Sequence, residues 1–203
     1  MTTWQDIQRR ARAAVAMSSE SRFSSDSAIL YTDFDNTLHA AHAYMTTSGI
    51  VAGSPSVTLF EFAPILEDLL APYGQVRIVL STSWVEVLGY EEARNRLPLE
   101  SLRNRVVGAT YVPQSSQASV WSSTARGTQV LRHVSRHGVR RWLAIDDDRT
   151  GFQGYEAHLI HCQQGIGLGD KDVQKSFARR LELMFGQPDS LSSADALTPE
   201  RPT

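Results

Sequence analysis

The chain has 203 residues, 41% of them hydrophobic and 21% charged, the usage of an ordinary soluble domain. A formal net charge of -2 and a pI near 6.3 supply no global basic field, which argues against a protein whose main role is coating nucleic acid while leaving a local basic patch open. The single cysteine, Cys162, excludes an intramolecular disulfide and any zinc site built on several thiolates, and it fits a reducing compartment.

Trp4, Ile7, Ala11, Ala14 and Val15 recur at helical spacing and predict an amphipathic helix. Arg9, Arg10 and Arg12 precede an apolar run over Ala13–Met17, but that run is too short for an export signal. The expected location is therefore cytoplasmic, with no membrane span, since no apolar run approaches the ~20 residues that would cross a bilayer. Serines with scattered charges over Ser18–Ser27 predict a linker, so residues 1–27 read as a helix plus a Ser-rich connection. Residues 28–186 then form one domain, and 187–203, with Pro188, Pro199 and Pro202 among small polar residues, read as a disordered tail.

Within the domain, Ile29–Thr32 predicts a strand running into an acidic turn, and Phe60–Leu70 a helix with Gly74 as its stop. The β-branched run Val76–Leu80 predicts a second strand, and Val85–Leu97 a helix ended by Pro98. Val106 and Val107 suggest a weaker strand; Thr128–His137, closed by Gly138, a helix with Val130, Leu131 and Val134 inward. Arg141–Ile145 and Ala157–His161 follow as strands, and a last helix capped by Asp170 or Asp172 runs through Leu183. Such alternation predicts an α/β fold with a parallel sheet covered on both faces, and ligands in such folds bind at the carboxyl ends of the strands.

The unusual residues fall at those ends. Asp33-Phe34-Asp35-Asn36-Thr37 follows the first strand directly. Two carboxylates so close repel each other, and a hard divalent cation such as Mg²⁺ reverses that preference. An acidic turn capping its own amides is the plain alternative. Asp146-Asp147-Asp148 ends another apolar strand, and two acidic strand ends in one sheet together suggest a metal site. Ser81-Thr82-Ser83 ends the Val76–Leu80 strand, where hydroxyls and amides could hold a phosphate oxygen or simply cap a helix. Arg126, just before the Thr128–His137 helix, could offset charge on a phosphorylated intermediate.

Taken in order, these four features resemble the haloacid dehalogenase-like (HAD) superfamily, whose motifs are an aspartate nucleophile in D-x-D-x-T/V, a Ser/Thr after a strand, a Lys or Arg, and paired acids. Asp33, Asp35 and Thr37 match the first motif; Thr82, with Ser81 as the alternative, fits the second; Asp146 and Asp147 match the fourth. Arg126 stands where the family more often has Lys. The stretches STSW, ARGTQVL and WLAIDDD further resemble the HAD domains of Swiss-army-knife RNA repair proteins. The resemblance implies a three-layer Rossmann-like HAD fold. It also implies a Mg²⁺-dependent phosphomonoesterase in which Asp33 attacks phosphorus to form an aspartyl-phosphate and Asp35 serves as acid and then base. Asp33, the Asp35 carbonyl, Asp147 and Asp146 would hold the metal, Thr82 or Ser81 and Arg126 the phosphoryl group, and Thr37 would orient Asp35 and the turn.

Only a short insert lies between Leu38 and Phe60, too little for a separate cap domain. The open site this predicts suits a phosphate on a large partner such as a nucleic-acid end. Arg103, Arg105, Arg126, Arg140, Arg141, Arg179 and Arg180 could form a basic face for such a partner, or a merely solvated one. A catalytically silent HAD-fold binding module, suggested by Arg126 in place of Lys, and a metal-dependent nuclease are the competing readings. His133 and His137, four apart on a helix without a third ligand, read as a surface pair. His158, His161 and Cys162 read as structural, Trp84 and Trp142 as core with satisfied N–H groups, and Gly165–Gly169 as a flexible loop.

Overall fold

The computed structural model describes residues 23–47, 49–113 and 120–186. The predicted first helix, most of the linker and the tail lie outside them. In chain order the elements are β1 (Ala28–Thr32), β2 (Ala43–Thr46), β3 (Gly49–Ala52), α1 (Ala63–Leu70), β4 (Arg77–Leu80), α2 (Trp84–Leu88), α3 (Tyr90–Asn95), α4 (Glu100–Arg105), β5 (Val106–Ala109), α5 (Arg126–His137), β6 (Arg141–Asp146), β7 (Leu159–His161) and α6 (Lys171–Phe185). Five strands make a parallel sheet in the order β5-β4-β1-β6-β7, and β2 and β3 pair as a separate antiparallel hairpin.

β1 is buried over its whole length because it is the central strand, covered on both faces. Its alternation builds the two cores. Leu30 points to one side, with Ile78, Leu80, Leu143 and Ile145, against Leu66 and Leu70 of α1 and Phe177, Leu181 and Phe185 of α6. Ile29 and Tyr31 point to the other, with Val79, Trp142 and Ala144, against Val130 of α5. The result is the three-layer α/β sandwich the alternation predicted.

Several local expectations are corrected. The helix expected over Phe60–Leu70 begins at Ala63, where Pro64 sits in the first turn and Phe60 takes a φ of 62°. The helix expected over Val85–Leu97 breaks at Gly89, with φ 84°, into α2 and α3; apolar periodicity is blind to a glycine that turns the chain. α4 was not anticipated, and the strand expected over Ala157–His161 is a short 3₁₀ turn followed by β7. α6 is capped by Asp170, which accepts from the Asp172 and Val173 amides. The expected linker ends early: Phe23 packs on the rings of His133 and His137, and Ser25 O accepts from Arg140 N.

His133 is not a surface residue. It is buried, and its Nδ1 lies 2.9 Å from the Tyr31 hydroxyl, so α5 carries a polar pair into the second core. Several of the arginines are engaged with backbone carbonyls. Arg105 donates to the carbonyls of Leu70, Tyr73 and Val76, Arg103 to that of Leu97, and Arg141 to that of Met184. Among the described residues no helix is long and apolar enough to cross a membrane.

Candidate active site

The parallel register continues beyond the strands and aligns their ends. Asp33 N donates to Ile145 O at 3.1 Å, Ser81 N to Thr32 O at 2.9 Å, and Thr110 N to Leu80 O at 2.9 Å. Asp33 thus comes to lie between the Ser81 end of β4 and the Asp146 end of β6. Residues far apart in sequence meet there because β1 is the strand that both neighbours flank.

Asp33, Asp146 and Asp147 each offer a carboxylate oxygen, and these atoms all lie within 4.8 Å of one another. Asp33 and Asp146 are buried. Burial first, and then the neighbouring carboxylates, push Asp33 up to about 6 and Asp146 well above the usual carboxylate range. Arg126 opposes this. Its Nη2 is 3.6 Å from Asp33 Oδ1 and its Nε 3.4 Å from Asp146 Oδ2, a single cation set among three acids. An all-oxygen, partly buried donor set of this kind fits a hard divalent cation such as Mg²⁺.

α5 begins two residues before the expected Thr128, so Arg126 is its first residue rather than one that precedes it. It is delivered by a close backbone contact. A Cβ on Gly127 would stand 2.2 Å from Gly151 C and 2.5 Å from both Gly151 O and Phe152 N, and Gly127 N donates to Thr150 O at 2.8 Å. Only glycine lets the helix start lie against the loop that follows β6. Arg126 is further held by Gln129 Oε1 at 3.1 Å and lies 5.6 Å from the centroid of the Trp121 ring.

Asp35 points elsewhere. Its Oδ1 accepts from three donors: Ala43 N at 3.1 Å, Trp84 Nε1 at 3.2 Å and His39 Nε2 at 3.1 Å. His39 is wholly buried and its Nδ1 has no partner, so its ring carries its proton on Nε2 in order to donate. The resemblance gives Thr37 an orienting role for Asp35 and the turn, and within that turn Thr37 N donates to Phe34 O at 3.2 Å. The Thr37 hydroxyl is buried without a hydrogen-bond partner, while its carbonyl accepts from Leu168 N at 2.9 Å. Sequence reasoning missed His39 as a partner of Asp35; its one available signal was the four-residue spacing within a single turn. Trp84 was expected in the core with its N–H satisfied, and its partner proves to be this carboxylate.

At the end of β4, Ser81 and Thr82 are both buried. Ser81 Oγ has no partner, whereas Thr82 Oγ1 accepts a long contact from Trp84 N at 3.5 Å. Both hydroxyls are thus available to a phosphate oxygen. The five-residue α2 makes no anion site by itself.

The Gly165–Gly169 segment is packed, which corrects its reading as a flexible loop. Gly165 N donates to Asn36 Oδ1 at 3.2 Å. Gly167, with φ 59°, has no room for a Cβ, which would lie 2.9 Å from Thr37 O. This stretch braces the acidic turn from behind. Asn36 itself takes a φ of 52°, a conformation asparagine tolerates better than most residues. His161, expected to be structural, has Nε2 3.1 Å from Asp147 O and Nδ1 3.0 Å from Arg149 Nη2, holding the loop that carries Asp147.

A family model described as the HAD domain in Swiss Army Knife RNA repair proteins matches residues 29–173. No curated protein and no solved structure matches the chain.

Proposed function

The chain belongs to the family of HAD domains found in Swiss Army Knife RNA repair proteins, and from that premise we propose that it is a Mg²⁺-dependent phosphomonoesterase acting through an aspartyl-phosphate. Membership makes it a HAD-type hydrolase. The observation that carries the finer reading is the cluster of Asp33, Asp146 and Asp147, with ligand oxygens within 4.8 Å of one another and Arg126 reaching two of the three acids. Asp33, Asp146, Asp147 and the Asp35 carbonyl would hold Mg²⁺, which would supply positive charge against the phosphoryl oxygens.

The remaining work falls to the chain's own residues. An oxygen of the ionised Asp33 attacks phosphorus, and the bond from phosphorus to the ester oxygen breaks. Arg126, fixed by Gln129, helps to keep Asp33 ionised against its burial and pairs with the phosphoryl oxygens. Ser81 and Thr82 donate hydroxyl hydrogen bonds to the same group. Asp35, its Oδ1 filled by three donors, uses Oδ2 to give a proton to the leaving oxygen, and then takes one from the water that opens the acyl-phosphate. Asp33 and inorganic phosphate are thereby released. Among the described residues the chain between Leu38 and Phe60 forms the small hairpin β2–β3 and no cap domain. This openness, with the family's description, supports a phosphate at the end of a nucleic acid as the substrate, handled in the cytoplasm.

The contacts of Arg126 with Asp33 and Asp146 support the enzyme over a silent module. The test is phosphate release from p-nitrophenyl phosphate and from end-phosphorylated oligonucleotides, with Asp33→Asn alongside. Equal activity in the variant, or activity indifferent to a chelator, would sink the reading. Cleavage of unphosphorylated nucleic acid would replace it with a nuclease.

A further inference from the structure

Asp35 stands in the wall of a cavity of about 100 Å³. The rest of that wall comes chiefly from Tyr44, Met45 and Ile50 of the hairpin and from Trp84 and Val87 of α2. Among the described residues no lysine, arginine or histidine lines it, and its hydroxyls are those of Ser83 and Tyr44. Asp33, Asp146, Asp147 and Arg126 take no part in it. Tyr44, Met45 and Val87 are 59%, 54% and 63% exposed, so three large side chains hold apolar surface in water beside a buried acidic site. Apolar surface so placed marks a binding face. The tyrosine is held there: a Cβ on Gly53 would stand 2.7 Å from its ring.

The position of Asp35 gives the cavity its role. The charged cluster lies on the Asp33 side, and the proton donor to the departing oxygen lies on the cavity side. A leaving alcohol must therefore extend from phosphorus past Asp35 Oδ2 and into this space. Aromatic and thioether walls favour a ring. A second phosphate or a carboxylate would find no cation there. We propose that this cavity receives the leaving alcohol of the monoester, and that this alcohol carries an uncharged flat ring, the chemistry shared by an aryl group and by the base of a terminal nucleoside. The proposal rests on the phosphomonoesterase reading above.

The test compares kcat/KM of the full chain for benzyl phosphate and ethyl phosphate, whose leaving alcohols are of similar basicity. The same ratio is measured in Tyr44→Ser and Val87→Lys, changes at exposed positions that the fold tolerates. The ring-bearing ester is preferred about tenfold or more by the natural chain, and the ratio falls towards one in both variants. Thymidine 5′-monophosphate against ribose 5-phosphate then separates the sources: preference for the base-bearing ester assigns a nucleoside, and preference confined to benzyl assigns an aryl group. Asp33-dependent hydrolysis without ring preference, or a preference untouched by both variants, overturns the pocket and leaves the phosphatase reading standing. Absence of Asp33-dependent hydrolysis on every ester takes both.

Discussion

Gly127→Ala isolates the contact that delivers Arg126. The new methyl carbon would stand 2.2 Å from Gly151 C, where ordinary contact begins at 3.4 Å, so the start of α5 or the Gly151 loop must retreat by about 1.2 Å. The loop has little freedom to give way. Gly151 has φ 85°, and it lies so close to α5 that a Cβ of its own would stand 2.7 Å from Thr128 N. Overpacking against backbone of this kind costs roughly 1–3 kcal/mol, which lowers Tm by about 2–4 °C per kcal/mol in a domain of this size. The functional effect is larger in proportion. Arg126 adjoins the altered residue, and its contacts of 3.6 Å to Asp33 and 3.4 Å to Asp146 already sit at the edge of direct pairing. A displacement of about 1 Å in such a site costs on the order of 10²-fold in rate. The assay is kcat/KM on p-nitrophenyl phosphate with Mg²⁺, alongside a thermal melt. Gly138→Ala, at the other end of α5, is the control: φ is 62° and nothing lies within 4 Å, so it costs about 1 kcal/mol of backbone strain and leaves the rate intact. A Gly127→Ala enzyme that is as fast as the natural chain would refute the idea that this backbone contact positions a cation the chemistry needs.

Asp146→Asn removes a carboxylate held against burial and against Asp33; in chelator its Tm is equal to or above that of the natural chain, and the Mg²⁺-induced rise in Tm disappears. A rise that persists would remove Asp146 from the ligand set. His39→Leu deletes one of three donors to Asp35 Oδ1. It slows hydrolysis of an alkyl phosphate about tenfold, a fraction of the usual ~10²–10⁴ of general acid catalysis, and barely touches p-nitrophenyl phosphate, whose leaving group needs no proton. His39→Gln, which keeps a donor, restores part of the loss; equal slowing on both esters would leave His39 a packing role alone. His133, with a folded pKa of about 3 against an ordinary 6.5 because burial opposes its charge, takes its proton first in the unfolded state. Its contribution is therefore complete above about pH 6.5 and is lost as the pH falls towards 3, at up to about 1.4 kcal/mol per pH unit. The stability difference between the natural chain and His133→Gln, measured by urea unfolding from pH 7 to 4.5, narrows at up to that slope; a constant difference would contradict burial of a neutral ring.

What the sequence displayed and what it hid divide along a physical line. Strands ending in acids were legible because an apolar run of β-branched and aromatic residues followed by carboxylates has few other uses, and the chain order of Asp33, Thr82, Arg126 and Asp146 placed the site at one end of the sheet. Contacts between elements were not legible. Gly127 against Gly151 is a meeting of two backbones, and neither neighbourhood signals the other. Local periodicity also failed at Gly89, where a helical pattern continues across a residue whose φ of 84° ends the helix, and over Gly165–Gly169, where a Cβ on Gly167 would meet Thr37 O and one on Gly169 the Phe62 ring. Glycine permits both freedom and close approach, and only the neighbouring chain decides which is meant.

The spacing of the two aspartates has a consequence for how the site is divided. Asp33 continues β1 and faces the acids and the guanidinium brought by β6 and α5. Two residues on, where the chain has turned, Asp35 faces an indole, an imidazole and the foot of the hairpin. In the proposed reaction the nucleophile therefore sits among charges that match a phosphoryl group, and the proton donor sits at the border of apolar surface that matches the group being expelled. Neither half could replace the other, because a carboxylate among acids makes a weak hold on an uncharged alcohol and an apolar wall offers nothing to a dianion. A short turn between two such environments thus separates binding of the phosphate from recognition of its carrier, and it does so without a cap domain. Under the proposed reading, choice of substrate falls to side chains of this hairpin and of the first turns after β4.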